Sequence, residues 1–231
     1  MDTRETALAF ARSTGWASRL PPALQADLLA AARLRVVPDG TRLYSIGDPP
    51  GGLFGVASGC LAGEAAQSGS PPHKSLLLHP GAWLGEGPIA GLDERMTGVW
   101  ATRRSAILLI EIADFHRVAM KHPDAWRHIA LLALENHGRT IGLAQDLMVR
   151  GGRQRLLAVL ARLGGLREER VPDPMLIDVT HAELADIANL SRGVVSGFLQ
   201  DIERDGIVRL GWGIIEILDA NRLMFSLERA I

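Results

Sequence analysis

The apolar positions change rhythm twice along the chain. From residue 33 to about 111 they come in short runs broken by turn residues, at Pro38-Asp39-Gly40, Gly47-Asp48-Pro49-Pro50-Gly51-Gly52, Ser58-Gly59, Ser68-Gly69-Ser70-Pro71-Pro72 and His79-Pro80-Gly81. Strands over 53–57, 75–78 and 106–112 fit between these breaks, and the regular strand-and-turn spacing predicts a barrel or sandwich. Before this region, Pro21-Pro22-Ala23-Leu24 opens a short amphipathic helix whose leucines fall at helical spacing.

After it, helical periodicity returns. His122-Pro123-Asp124 begins a segment that runs to about residue 149, in which Ala130, Leu134, His137, Ile141, Ala144 and Met148 alternate at steps of four and three. That is the seam of a coiled coil. About 26 residues of helix span roughly 40 Å, longer than a small β domain can cover, so the seam predicts self-association through helix 122–149. Arg150-Gly151-Gly152 breaks the pattern and is the expected hinge.

Beyond the hinge, Thr180 with Glu183 three residues later forms a capping box ahead of a short helix, and Asn189-Leu190 turns the chain. Ser191 then caps a second helix that ends at Gly206. Leu184, Ala185, Ile187, Leu190, Val195, Leu199 and Ile202 supply the buried contacts between the two, leaving the first turn of the second helix able to enter a major groove. Two apolar runs, 207–210 and 214–217, joined by Gly211-Trp212-Gly213, complete the pattern as a hairpin, or wing. Arg192 is the residue suited to a bidentate contact with guanine, while Ser191, Ser196 and Thr180 are placed to reach phosphates. Gly193 and Gly197 stand where base-reading side chains are expected, so the helix predicts few base contacts and a part for DNA shape.

Charge complicates this picture. The net charge is −1, with 11 arginines against 12 acidic residues over 150–231, so no basic excess marks the DNA-reading half. Such balance leaves open a second reading, a nucleotide-sensing or protein-interaction module whose winged helix no longer reads DNA. Catalysis has no support: no serine-histidine-acid set, metal cluster or phosphate-binding loop stands out. The single cysteine, Cys60, excludes an intrachain disulfide and reads as a small apolar strand residue. Without a run of about 18 uncharged apolar residues or a signal-peptide start, the chain reads as cytoplasmic and free of the membrane.

Taken in order, Pro38-Asp39-Gly40-Thr41-Arg42-Leu43-Tyr44 with Gly47-Asp48, then Leu53-Phe54-Gly55-Val56-Ala57-Ser58-Gly59, then Pro80-Gly81-Ala82-Trp83-Leu84-Gly85-Glu86, and finally Thr180 through Ile187 and Leu190-Ser191-Arg192 with Val194-Val195-Ser196, resemble the CRP/FNR superfamily of bacterial transcription regulators. The resemblance covers nearly the whole chain. It implies an α+β fold: a cyclic-nucleotide-binding-like double-stranded β-helix, a jelly-roll-like β-roll, over 1–120; a dimerisation helix over 121–150; and a winged helix-turn-helix over 151–231. It also implies a homodimer on double-stranded DNA, with RNA polymerase as a further partner.

The resemblance places a small effector at Gly85, Glu86 and Arg95, with Thr140 on the long helix as a further contact. A buried phosphate needs an arginine and exposed backbone N–H groups, and a glutamate takes the ribose hydroxyl. Two departures disfavour cyclic AMP or GMP: Met96 stands where the pattern has a hydroxyl residue, and the loop from Gly87 to Glu94 is about one residue short and carries Pro88, which lacks an N–H. The favoured alternative is a vestigial pocket in which Arg95 pairs with Glu86 or Glu94. No cofactor is expected; Cys60, His73 and His79 are unsupported as haem ligands, and the histidines at 116, 122, 128 and 137 share no metal-ligand spacing.

Overall fold

A computed structural model describes residues 3–65, 73–168 and 171–228; the expected turn at Ser68-Gly69-Ser70-Pro71-Pro72 lies outside the described residues. The chain divides into two compact units, residues 1–72 with 78–138, and residues 73–77 with 139–231.

In chain order the elements are α1 (Arg4–Ser13), α2 (Pro22–Ala31), β1 (Arg33–Val37), β2 (Arg42–Tyr44), β3 (Gly52–Ser58), β4 (Leu61–Ala65), β5 (His73–Leu78), β6 (Trp83–Leu84), α3 (Glu86–Ile89), β7 (Gly98–Ala101), β8 (Ser105–Glu111), α4 (Ile112–Lys121) and α5 (Ala125–Met148). The remainder are α6 (Gly152–Leu163), β9 (Leu176–Ile177), α7 (His181–Ala188), α8 (Arg192–Arg204), β10 (Val208–Gly211), β11 (Ile214–Ile217) and α9 (Ala220–Glu228). Ile112, expected to end a strand, instead opens α4 with Glu111 at its N-cap.

The first unit is a β-roll. One antiparallel sheet runs β1-β8-β3-β6, and β7 joins β2 to β4 in the facing one. Strand β8 is apolar on both faces because both are covered. Ala106, Leu108 and Ile110 point into a core shared with α1, α2, α4 and the start of α5, while Ile107 points into the core between the sheets with Val37, Tyr44, Phe54 and Val99. Such two-sided burial is why the run read as uninterrupted apolar sequence. Trp16 fixes the entry of α5: its indole N–H donates to the carbonyl of His128 at 2.9 Å and its ring stands 5.5 Å from that of Trp83.

The second unit is a helical bundle carrying the three-stranded antiparallel sheet β10-β11-β9. Residues Leu156 through Ala161 of α6 are all buried, so α6 forms its central post. Ion pairs tie the end of α5 to this unit. Asp146, 2% exposed, accepts from Arg162 Nε and Arg167 Nη1, both at 2.8 Å, and Arg139 pairs with Glu168 at 3.0 Å. These contacts explain why residues 139–148 group with the second unit although the sequence breaks only at Arg150-Gly151-Gly152. Among the described residues no helix is long and apolar enough to cross a membrane.

Candidate functional site

The helix pair forms as its caps dictate. Thr180 Oγ1 accepts from the Glu183 N–H at 3.2 Å while the Glu183 carboxylate accepts from the Thr180 N–H at 2.8 Å, so both halves of the capping box are made. Asn189 then takes a left-handed conformation, φ 49°, which an asparagine side chain tolerates and which sends the chain into α8. Ser191 Oγ caps α8 by accepting from the Val194 N–H at 3.3 Å.

These bonds also decide what each side chain has left to offer. The Thr180 hydroxyl donates to Glu183 Oε2 at 3.0 Å, so it is committed to the cap rather than open to a phosphate. Ser196 Oγ lies 3.1 Å from His181 Nδ1 and is half-buried against α7. Arg192 is exposed at the first position of α8, with no ion pair or hydrogen bond within the described residues. Gly193 and Gly197 are exposed, and a Cβ at either would meet nothing within 4 Å. The exposed surface of the first two turns of α8 therefore carries one cation, Arg192, beside Val194 and two glycines.

Two residues on this surface escaped the sequence reading. Val194, 42% exposed, adds an apolar contact suited to a thymine methyl beside Arg192. His181, at the first position of α7, holds Ser196. The spacing of fifteen residues between those two gave no signal, because only the turn between the helices brings them together.

In the roll, Gly85 takes φ 101°, a conformation favouring glycine, and a Cβ there would lie 2.1 Å from the Gly52 carbonyl oxygen. Arg95 is 4% exposed. Instead of pairing with Glu86 or Glu94, it donates from Nη2 to the Gly52 carbonyl at 3.2 Å and lies over the rings of Tyr44, at 4.2 Å, and Phe54, at 5.3 Å. Its Nε is buried without a partner. Burial pushes the Arg95 pKa down, opposed by the nearby Tyr44, Glu86 and Asp48, and pushes the Tyr44 phenol up to about 12. Glu86 is engaged elsewhere: its Oε1 accepts from Asn136 Nδ2 of α5 at 2.9 Å. Met96 is 73% exposed, and Thr140 is exposed on α5, in the second unit.

Among the described residues no group of three or more His, Cys, Asp or Glu side chains is placed to hold a metal. Cys60 is fully buried just after β3, not in a strand, with its N–H donating to Ser105 Oγ at 3.0 Å. His79 is buried, and His73 opens β5.

Residues 154–225 match the Crp-like helix-turn-helix domain. The chain is 30% identical over 187 residues to the cyclic AMP receptor protein of Thermus thermophilus, covering 80% of this chain and 84% of that one. Among solved structures, FixK2 of Bradyrhizobium japonicum aligns with a TM-score of 0.67 at 15% identity, over 84% of this chain and 96% of the other. The regulator CLP of Xanthomonas campestris, described as c-di-GMP responsive, aligns with a TM-score of 0.63 at 19% identity, over 86% and 100%. These two share the fold.

Proposed function

The chain belongs to the CRP/FNR family of transcription regulators, and from that premise we propose that it works as a homodimer on double-stranded DNA, with α8 in the major groove and RNA polymerase as the machinery it acts on. The observation that carries the reading is Arg192, exposed and without a partner among the described residues at the start of a capped helix whose first two turns otherwise expose mainly Val194 and two glycines. Its guanidinium is free to fork onto guanine O6 and N7. Ser191, at the positive end of α8, meets a phosphate. Thr180 and Ser196 act on the backbone mainly by fixing α7 and α8.

Self-association rests on α5. Leu134, Ile141 and Met148 are 65%, 46% and 79% exposed, and Ala130, His137 and Ala144 on the same stripe are exposed as well. A stripe of this kind on a 24-residue helix needs cover. Two such helices, packed along their seams, provide it. Titrating a duplex from the protein's own promoter region by fluorescence anisotropy tests the whole reading. Nanomolar-range binding that falls on Arg192→Ala, and sedimentation as a dimer that Ile141→Glu converts to monomer, are the expected results; no binding at low salt refutes it.

A second reading concerns the roll. The buried Arg95 guanidinium, neutralised by no ion pair and with one N–H unpartnered, supports a small anionic effector bound at Gly85, Glu86 and Arg95. A cyclic nucleotide remains the less favoured occupant, because Met96 and Pro88 remove the donors a cyclic phosphate uses. Calorimetry with cyclic AMP and cyclic GMP decides: tight binding that Arg95→Ala abolishes reinstates the nucleotide.

A further inference from the structure

The wing carries a residue with no structural role in the unit. Trp212, between Gly211 and Gly213 at the tip of the β10–β11 hairpin, is 100% exposed. Nothing in the fold requires an indole there. The turn is made by its glycines: Gly213 takes φ 70°, and a Cβ at Gly211 would lie 2.7 Å from the Ile214 side chain. The other four tryptophans have partners, Trp100 lying under the guanidinium of Arg42 at 5.6 Å. Trp16 and Trp83 pack on each other, and Trp126, itself 44% exposed, meets Phe115 edge-on and His116 at a tilt. A fully solvated tryptophan is a large apolar surface with a single N–H donor, the form of side chain that gains most when a partly apolar, partly anionic partner covers it.

The hairpin is also held in a fixed relation to the reading helix. Glu203 on the last turns of α8 accepts from the Leu210 N–H at 2.7 Å, and Val208 and Ile215 are buried beneath the sheet. The Arg209–Glu216 pair braces the two strands at 2.8 Å. No acidic residue lies between Arg209 and Ile215 in the sequence, and the nearby carboxylates are engaged, Glu203 by the Leu210 N–H and Glu216 by Arg209. Meanwhile the first two turns of α8 present one arginine and two bare glycines, leaving most of the affinity for DNA to be supplied from elsewhere in the unit.

We propose that Trp212 is a second DNA-binding element: its indole packs on the deoxyribose and base edges of the duplex flanking the groove that α8 enters, in the manner of an apolar wedge. This rests on the DNA-reading function proposed above. Contact outside the α8 site lets a helix with few base contacts hold DNA, and makes local deformability part of the selectivity.

The test uses the full-length protein and two duplexes from its own promoter region, one covering the α8 site with flanks and one trimmed to that site. Trp212→Ala is expected to lower affinity for the long duplex about 5- to 100-fold, the range for one aromatic stacking contact on nucleic acid, with the melting temperature unchanged and most of the affinity kept by Trp212→Phe. Trimming should cost the wild type affinity and the Trp212→Ala protein little. The DNA-induced change in indole emission should vanish in Trp212→Phe. If the wild type binds DNA, Arg192→Ala weakens it, and Trp212→Ala does not, the wedge is overturned while the reading of α8 stands, and the indole is assigned to a protein partner. If the wild type binds no DNA, both fall.

Discussion

His181 Nδ1 lies 3.1 Å from Ser196 Oγ, joining the first turn of α7 to the second turn of α8. The bond spans the two helices at the surface proposed above to face DNA. Removing the hydroxyl therefore loosens their crossing before it removes any phosphate contact. Ser196→Ala is expected to cost about 1 kcal/mol of stability, the worth of one such hydrogen bond, in chemical denaturation. A Ser196→Ala protein that keeps its stability but loses DNA affinity would show a direct phosphate contact instead.

Arg192 separates base reading from backbone attraction. Arg192→Ala should lose about 1–3 kcal/mol of discrimination at one base pair and lower the slope of log affinity against log salt by less than a pure phosphate contact does. Arg192→Lys keeps the charge without the fork, so it should retain non-specific binding while relaxing sequence preference. Parallel titrations on the promoter duplex and a scrambled one read both quantities.

The second unit should weaken in acid through Glu183. Partial burial raises its pKa, but hydrogen bonds from Lys74, at 2.8 Å, and from Thr180 outweigh this, and the folded pKa lies below its ordinary 4.5. A depressed carboxylate pKa contributes stability that is fully present above the unfolded value and is lost as pH falls through the folded one. Denaturation of the wild type at pH 7 and at pH values below about 4.5 should show that loss, and Glu183→Gln should flatten it while lowering stability at pH 7.

Asp146 is 2% exposed and holds two arginines, so its removal strands buried charge. Arg162, one of its two partners, is itself nearly buried, with its Nη2 lacking a partner, and burial already pushes the Arg162 pKa down. Asp146→Ala leaves that guanidinium without a counter-ion, a change of about 3–5 kcal/mol. Thermal melting should show it, and the double variant Asp146→Ala with Arg162→Met should recover part of the loss, since no buried charge is then stranded.

The parts of the fold written in local grammar were legible without coordinates. Thr180 with Glu183, Ser191, and the glycines around Trp212 each specify their turn or cap within four residues, and the structure uses them so. Helix α1 leaves little trace in the apolar pattern because its buried face is only Ala7, Leu8 and Ala11, set among Arg4, Glu5 and Arg12. The engagement of Glu86 by Asn136, of Ser196 by His181 and of Asp146 by Arg162 joins residues 50, 15 and 16 apart. Such pairs depend on how elements pack, and no spacing rule announces them. Arg95 shows the same limit: its residue type marked a charge to be neutralised, but the aromatic rings of Tyr44 and Phe54 that cover it come from strands β2 and β3.

The Asn136–Glu86 bond makes the roll and the long helix thermodynamically linked. A ligand that takes the Glu86 carboxylate must first release Asn136, so its apparent affinity is reduced by the population of the released state. Reciprocity follows: whatever stabilises the released state of α5, a twin helix or a stretch of DNA held between two reading heads, tightens the ligand by the same factor that the ligand favours it. If a ligand binds at Glu86 and DNA favours the released state, calorimetry with the promoter duplex added reads tighter binding than calorimetry of the protein alone.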